Sequence, residues 1–559
     1  MGDRVPKYAI LSHTWVEDEE ISYQEMTSLA SDPDHLAIEK SGYRKILETC
    51  RKAKRHDLDY AWVDTCCIDK SSSAELTEAV NSMFKWYQKS EACYAFLADL
   101  PSYRDKHPRM PSCRWFFRGW CLQELLAPHN LRFYDATWKY VGSKTELKTL
   151  INRITQIDEE TLVDSHRLYE APVAQRMSWA SNRITTREED IAYCLLGIFD
   201  VNIPMLYGEG NKAFIRLQEE IIKSSNDLSI FAPEASSRGT STTAENYCDL
   251  FARSPKAFDS CGLVRANGSE LVSGDSDQSF TMTNNGLYFR EAHFAVTFHK
   301  YILSLNCTVV DTAGRGFPLH MVLQKIGPAR FVRTAYRRDR SPGSHEYHHT
   351  EEAYIITHVK PSTRKLLDAS YEGSVWIGCE RSHTHDDQRN ALRSATPQNR
   401  WDFANHRFIT AGTESFEGYL MVFPGALGYA VEMRGPQFFY LVCGVTLTKW
   451  GKPTAWVRLR SVEDWTRAEQ SQGEMASKLA NRPMYGSNYT LDMPRLRMNR
   501  CMVTATIRPH PDKYAAFNVH LAFAPIADSS IAEAFDVSVQ AEGKGKGSGW
   551  RVFPRLRYT

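Results

Sequence analysis

The chain has 559 residues, too many for one hydrophobic core, so roughly two to four domains are expected from length alone. Hydrophobic residues make up 42% and charged residues 24%, an ordinary composition for a folded protein, while 68 basic and 67 acidic residues nearly cancel. That balance gives no reason to expect nucleic acid or an anionic membrane as a partner.

The first part alternates strand and helix patterns. Tyr8–Ser12 reads as a buried strand leading into His13-Thr14-Trp15, and Tyr43, Ile46, Leu47, Cys50 and Ala53 then recur at helical spacing. Tyr60–Asp64 reads as a second strand. Ser72 and Glu75 have capping-box spacing ahead of an apolar helical stripe at Leu76, Val80, Met83, Phe84 and Tyr87. Cys93–Leu97 is a third strand, Pro101–Arg114 a basic loop, Trp120–Leu126 a helix and Leu131–Tyr134 a fourth strand. Such alternation predicts right-handed crossovers and a mostly parallel, flavodoxin-like α/β sheet, with its site at the C-terminal strand ends.

From 145 the pattern turns helical. Ile191, Leu195, Ile198 and Phe199 share one face, and Phe214, Leu217, Gln218 and Ile221 share another. The polar run Ala235–Thr243 reads as a linker. Beyond it come strand patterns at Phe280–Met282, Tyr301–Val310, His320–Leu323, Ala353–Val359, Tyr419–Phe423 and Phe438–Val445. The expected domains are therefore an α/β core over 1–144, a helical extension over 145–233, and a β-rich, sandwich-like region over 244–559. No internal repeat supports a propeller or solenoid.

Several chemical signatures weigh little. Cys66-Cys67 is not a CxxC pair, and no paired CxxC spacing for structural zinc occurs. His345-Glu346-Tyr347-His348-His349 formally matches HExxH, but Pro342-Gly343 precedes it and a strand pattern follows, leaving no room for the helix that motif needs. Gly208-Glu209-Gly210-Asn211-Lys212 lacks P-loop spacing, and Asp64 with Asp69 is a weak magnesium signal. No metal site is expected. No run approaches the ~18 apolar residues of a membrane span, and no secretory leader opens the chain. A cytoplasmic protein with thirteen reduced cysteines is expected.

Five longer segments carry a resemblance. They are Tyr8–Trp15, Trp62–Lys70, Arg118–Pro128, Arg187–Phe199 and Tyr207–Gly210. Together they resemble the HET domain of fungal heterokaryon-incompatibility proteins over roughly residues 8–230. That domain is in turn similar to TIR domains, in strand–helix order and in a Trp-Cys-Leu-x-Glu-Leu segment, here Trp120–Leu125. The resemblance implies a cell-death effector in fungal nonself recognition, active when assembled into oligomers, with Glu124 as the catalytic residue of an NAD-cleaving enzyme. Its β-rich region would meet a protein partner or restrain the effector.

The residue chemistry fits an NAD-like nucleotide as substrate, with no cofactor required. Cleaving a nicotinamide glycosidic bond passes through an oxocarbenium-like state that one carboxylate can stabilise. Ser12 and His13 are candidates to bind ribose or phosphate, Arg118 to supply charge, and Trp15 or Trp120 to offer a stacking surface. Asp64 is a further candidate, ending the second strand. The main competing expectation is a TIR-like interaction module that signals by oligomerising, with Glu124 structural.

Overall fold

The computed structural model describes residues 5–32, 35–102, 107–233, 247–267, 279–297, 300–311, 313–334, 347–360, 374–379, 392–410, 415–423, 438–447, 453–461, 495–498, 501–509 and 517–525. The Ala235–Thr243 run lies outside them.

Five strands form the N-terminal sheet: β1 (Tyr8–His13), β2 (Tyr60–Trp62), β3 (Ala92–Phe96), β4 (Leu131–Tyr134) and β5 (Tyr140–Ser143). Their order is β2-β1-β3-β4-β5. β1 pairs in parallel with β2 and β3, β3 pairs in parallel with β4, and β5 closes the edge antiparallel to β4. β1 is buried from Ala9 to His13, as a strand flanked on both sides and covered on both faces must be. The chain goes from β1 to β2 on one side and then to β3 on the other, so a crevice opens beyond their C-terminal ends.

Helices α1 (Tyr23–Ser31), α2 (Ser41–Arg55), α3 (Ser73–Lys89) and α4 (Cys121–Leu126) join these strands. A complete capping box starts α1, with Ser22 and Glu25 satisfying each other's backbone N–H. At α3 only half of the expected box forms. Ser72 accepts from the Glu75 N–H, but the Glu75 carboxylate takes the Asp69 N–H instead, tying the helix to the loop after β2. The buried face of α2 is Gly42, Lys45, Ile46, Thr49 and Ala53, rotated from the apolar stripe expected at Tyr43, Leu47 and Cys50. Lys45 goes inside because Glu20 and His13 wait for it there.

The helical stretch that follows includes Lys148–Thr155, Val173–Ser178 and Lys212–Ser224, the last presenting the expected Phe214, Leu217, Gln218 and Ile221 to the core. The face expected to run from Ile191 to Phe199 is two short helices, Asp190–Tyr193 and Leu196–Phe199, separated at Cys194-Leu195. Gly197 lies so close to Phe84 of α3 that a Cβ there would sit 2.1 Å from the Phe84 Cβ.

The C-terminal part is β-rich, as expected, but its first sheet is barrel-like rather than one layer of a sandwich. Strands Lys300–Val310, Gly316–Gly327, Arg330–Thr334, Tyr347–Ile355 and Gly286–Thr297 pair in turn, and Gly286–Thr297 then pairs back with Lys300–Val310. Among the described residues two further sheets, of six and four strands, follow. Of the HExxH run, His345 and Glu346 lie outside the described residues, while Tyr347 to His349 lie in a strand rather than a helix. Gly286 has φ +123°, and a Cβ there would meet the Ile355 carbonyl oxygen at 2.3 Å. Gly286→Ala is therefore expected to destabilise the closed sheet by about 3 kcal/mol or more. A lower urea midpoint for this region's unfolding would show it, and an unchanged midpoint would disprove the strain.

One continuous cluster of buried apolar side chains runs from Ile10 to Leu521, so the α/β part and the β-rich part share packing. No helix among the described residues is long and apolar enough to cross a membrane.

Candidate functional site

Every residue of α4 is buried, including Gln123 and Glu124. A six-residue helix holds little stability of its own, so its ends are tied externally. The Gly119 N–H donates to the Ile184 carbonyl at 2.8 Å, and Lys144 donates to the carbonyls of Leu125 at 3.1 Å and Pro128 at 2.6 Å. Burial pulls the Lys144 ammonium down to about 8. These ties hold Glu124 against the C-terminal end of β1.

Glu124 is 4% exposed, and its carboxyl accepts a hydrogen bond from the Ser12 hydroxyl. The Ser12 oxygen accepts in turn from the Trp115 indole N–H at 2.7 Å. With its proton given to Glu124, Ser12 is an orienting group rather than a free nucleophile. Burial, and then the charge of Asp64, pushes the Glu124 carboxyl up to about 8, against the smaller opposing effects of Ser12, Arg118 and Cys121.

His13 points to the other face of β1, as strand alternation requires. Its Nε2 lies 3.0 Å from Asp64 Oδ1 and its Nδ1 3.2 Å from Lys45 Nζ. An ammonium can only donate, so Nδ1 accepts and Nε2–H donates to Asp64. Trp15 Nε1 donates to the second Asp64 oxygen at 3.0 Å. Burial raises the Asp64 carboxyl, but the hydrogen bond from His13, the Lys70 charge and the Trp15 hydrogen bond outweigh it and hold the group below its usual range. The site therefore holds two carboxyls pushed apart, Asp64 low and Glu124 high, the pattern that separates a fixed negative charge from a titrating one near neutrality.

Trp15 is 39% exposed at the rim, with the Lys70 ammonium 3.8 Å and the Arg118 guanidinium 5.3 Å from its ring centroid. The structure thus gathers Ser12, His13, Trp15, Asp64, Arg118 and Glu124 at one end of the sheet. Trp120 engages elsewhere. Its indole N–H reaches Asp190 at 3.4 Å, whose other oxygen takes the Tyr207 hydroxyl at 3.1 Å. Cys66 is buried, its thiol donating to the Val63 carbonyl, whereas Cys67 is exposed, its thiol drawn down by the neighbouring Cys66 and by the Val63 N–H it accepts. His13 has both nitrogens engaged and is no base for either thiol.

Sequence reasoning missed Trp115, Lys45, Glu20 and Lys70. The Trp115-Phe116-Phe117 run before α4 was a usable signal, since three successive aromatics in a loop must pack somewhere. Asp64→Asn is expected to loosen the His13 and Trp15 anchors and lower the Glu124 pKa by removing the neighbouring charge. Carboxyl NMR titration of Glu124 in the variant checks this, and an unmoved titration would refute the coupling.

Among the described residues no group of three or more His, Cys, Asp or Glu is disposed to hold a metal ion. Residues 8–112 match the model of the family described as Heterokaryon incompatibility protein (HET). Over 229 residues it is 45% identical to Vegetative incompatibility protein HET-E-1 of Podospora anserina, a relationship covering 39% of this chain and 16% of that protein. The chain is thus related to a fungal incompatibility protein but spans only a small part of its length. Glu124 lies beyond the family-model match. No solved structure matches the chain.

Proposed function

We propose that this chain is a cell-death effector of fungal nonself recognition. In this reading its N-terminal domain is TIR-like, acts in the cytoplasm, and cleaves the nicotinamide glycosidic bond of NAD or a related nucleotide through Glu124 when assembled. The observation that carries the reading is the buried Glu124 carboxyl, fixed by Ser12 and Trp115 beside a second carboxylate at the C-terminal end of a central parallel strand.

The chemistry needs little else. The bond between ribose C1′ and the nicotinamide ring nitrogen breaks, and its electron pair goes to that nitrogen, so the leaving group departs neutral. The ribose is left oxocarbenium-like. Ionised Glu124 stabilises that charge in a low-dielectric setting, where a carboxylate is worth far more than in water. Water then adds at C1′ and releases a proton. Asp64 holds Trp15 and His13 in position, while Lys70 and Arg118 make the rim cationic and suited to phosphate. The β-rich region is the partner-facing or restraining part.

Nicotinamide release from NAD by the purified full chain, dilute and concentrated, tests the reading. Turnover that rises more than linearly with protein concentration is expected. A folded, oligomerising chain that releases none would favour the interaction-module reading.

A further inference from the structure

A cavity of about 740 Å³ lies between the helical stretch and the barrel-like sheet, away from the Glu124 crevice. Its size falls within the range of small-molecule sites, and seams between structural units are where such sites concentrate. Two half-exposed aromatic rings line it, Phe117 from the segment before α4 and Phe317 from the barrel-like sheet, each 42% exposed.

The polar lining is electrically lopsided. Both of its carboxylates already have partners. Asp259 is satisfied by Lys256, Ser181 and Asn182, and Asp311 by Arg315 and backbone N–H groups. Its two arginines bond only carbonyl oxygens. Arg183, 6% exposed, bonds only the carbonyls of Trp179 and Arg118, and its Nη2 has no partner among the described residues. Arg333, 8% exposed, bonds the carbonyls of Leu250 and Pro233. Neither forms an ion pair among the described residues. Guanidinium groups stay protonated, and burying one without a counter-ion is costly. Trp179 Nε1 is a further buried donor without a partner among the described residues, and it borders the same space.

We propose that this cavity is a binding site for an organic anion with an aromatic body, its acidic group facing Arg183 and Arg333 and its ring system held between Phe117 and Phe317. The site also touches the candidate catalytic machinery. Phe116 and Phe117 line the cavity, while the flanking Trp115 and Arg118 serve the Glu124 crevice, and Arg183 holds the Arg118 carbonyl at 2.9 Å. Occupancy thus bears on the segment that orients Ser12. Anion binding itself stands whatever chemistry Glu124 performs.

The test uses the full chain with 1-anilinonaphthalene-8-sulfonate as probe and uncharged N-phenyl-1-naphthylamine as its control. Saturable binding at one site is expected, at least tenfold tighter for the sulfonate. Gly262 offers a filling variant, since its φ of −60° suits any residue and a Cβ there meets nothing nearer than 3.7 Å. Gly262→Trp, and separately Phe317→Ser at the mouth, should each weaken sulfonate binding at least tenfold while cooperative unfolding persists. Arg333→Met should remove the preference for the sulfonate. Binding that never saturates, that both Gly262→Trp and Phe317→Ser leave unchanged, or that treats the two probes alike would overturn the proposal.

Discussion

Glu124→Gln is expected to cut nicotinamide release by about a thousandfold while making the folded chain more stable above neutral pH. The first effect follows from charge. Gln keeps the shape and accepts from Ser12, but cannot offer the negative charge that an oxocarbenium-like ribose requires, and losing one such preorganised group costs roughly 3–4 kcal/mol of barrier. The second follows from linkage. The folded carboxyl holds its proton up to about pH 8, against a usual value of 4.5. An unfolded chain releases that proton near the usual value, so between those limits the unfolded state binds fewer protons and wild-type stability falls as pH rises. The ceiling on that loss is about 5 kcal/mol. Gln does not titrate, so the variant should match the wild type near pH 5 and exceed it near pH 8. Urea midpoints at the two pH values, measured beside turnover, separate the outcomes. A variant that is folded and fully active would remove Glu124 from the chemistry.

How far the sequence led depends on which forces each residue obeys. β1 was readable because a central parallel strand is apolar throughout, and Glu124 stood out because it is an acid in an apolar segment. Strand alternation sends Ser12 and His13 to opposite faces of β1, Ser12 to Trp115 and His13 to Asp64, a separation that adjacency in sequence conceals. Lys45 was not readable. Periodicity assigns a lysine to solvent, and only the tertiary pairing with Glu20 and His13 reverses that. The split near Cys194 was hidden for a similar reason, since no Pro punctuates the run and Gly197 reveals its purpose only against Phe84. Closure of the barrel-like sheet was beyond reach. It depends on Gly286–Thr297 pairing with two partners at once, and local alternation carries no record of which edges meet.

The second large effect is on pH dependence. With Glu124 near 8, only about a tenth of the free protein carries the ionised carboxylate at pH 7. If that form acts on the cationic substrate, kcat/KM should rise about tenfold for each pH unit up to the Glu124 pKa and level off above it. Bound nicotinamide brings a positive charge beside the carboxyl, which favours ionisation. The kcat profile should therefore break at lower pH than the kcat/KM profile, and the interval between the breaks measures how strongly the site senses that charge. Asp64→Asn provides an internal control. Asp64 is the charge that helps hold Glu124 protonated, so removing it should move the kcat/KM break to lower pH, in step with the carboxyl titration seen by NMR. A kcat/KM flat from pH 6 to 9 would mean that Glu124 does not titrate in the rate-determining steps. A fall with rising pH would make protonated Glu124 the working form, donating a proton rather than stabilising a cation. That result would point away from nicotinamide as the leaving group, because a group that departs neutral from a cationic bond has no use for an acid.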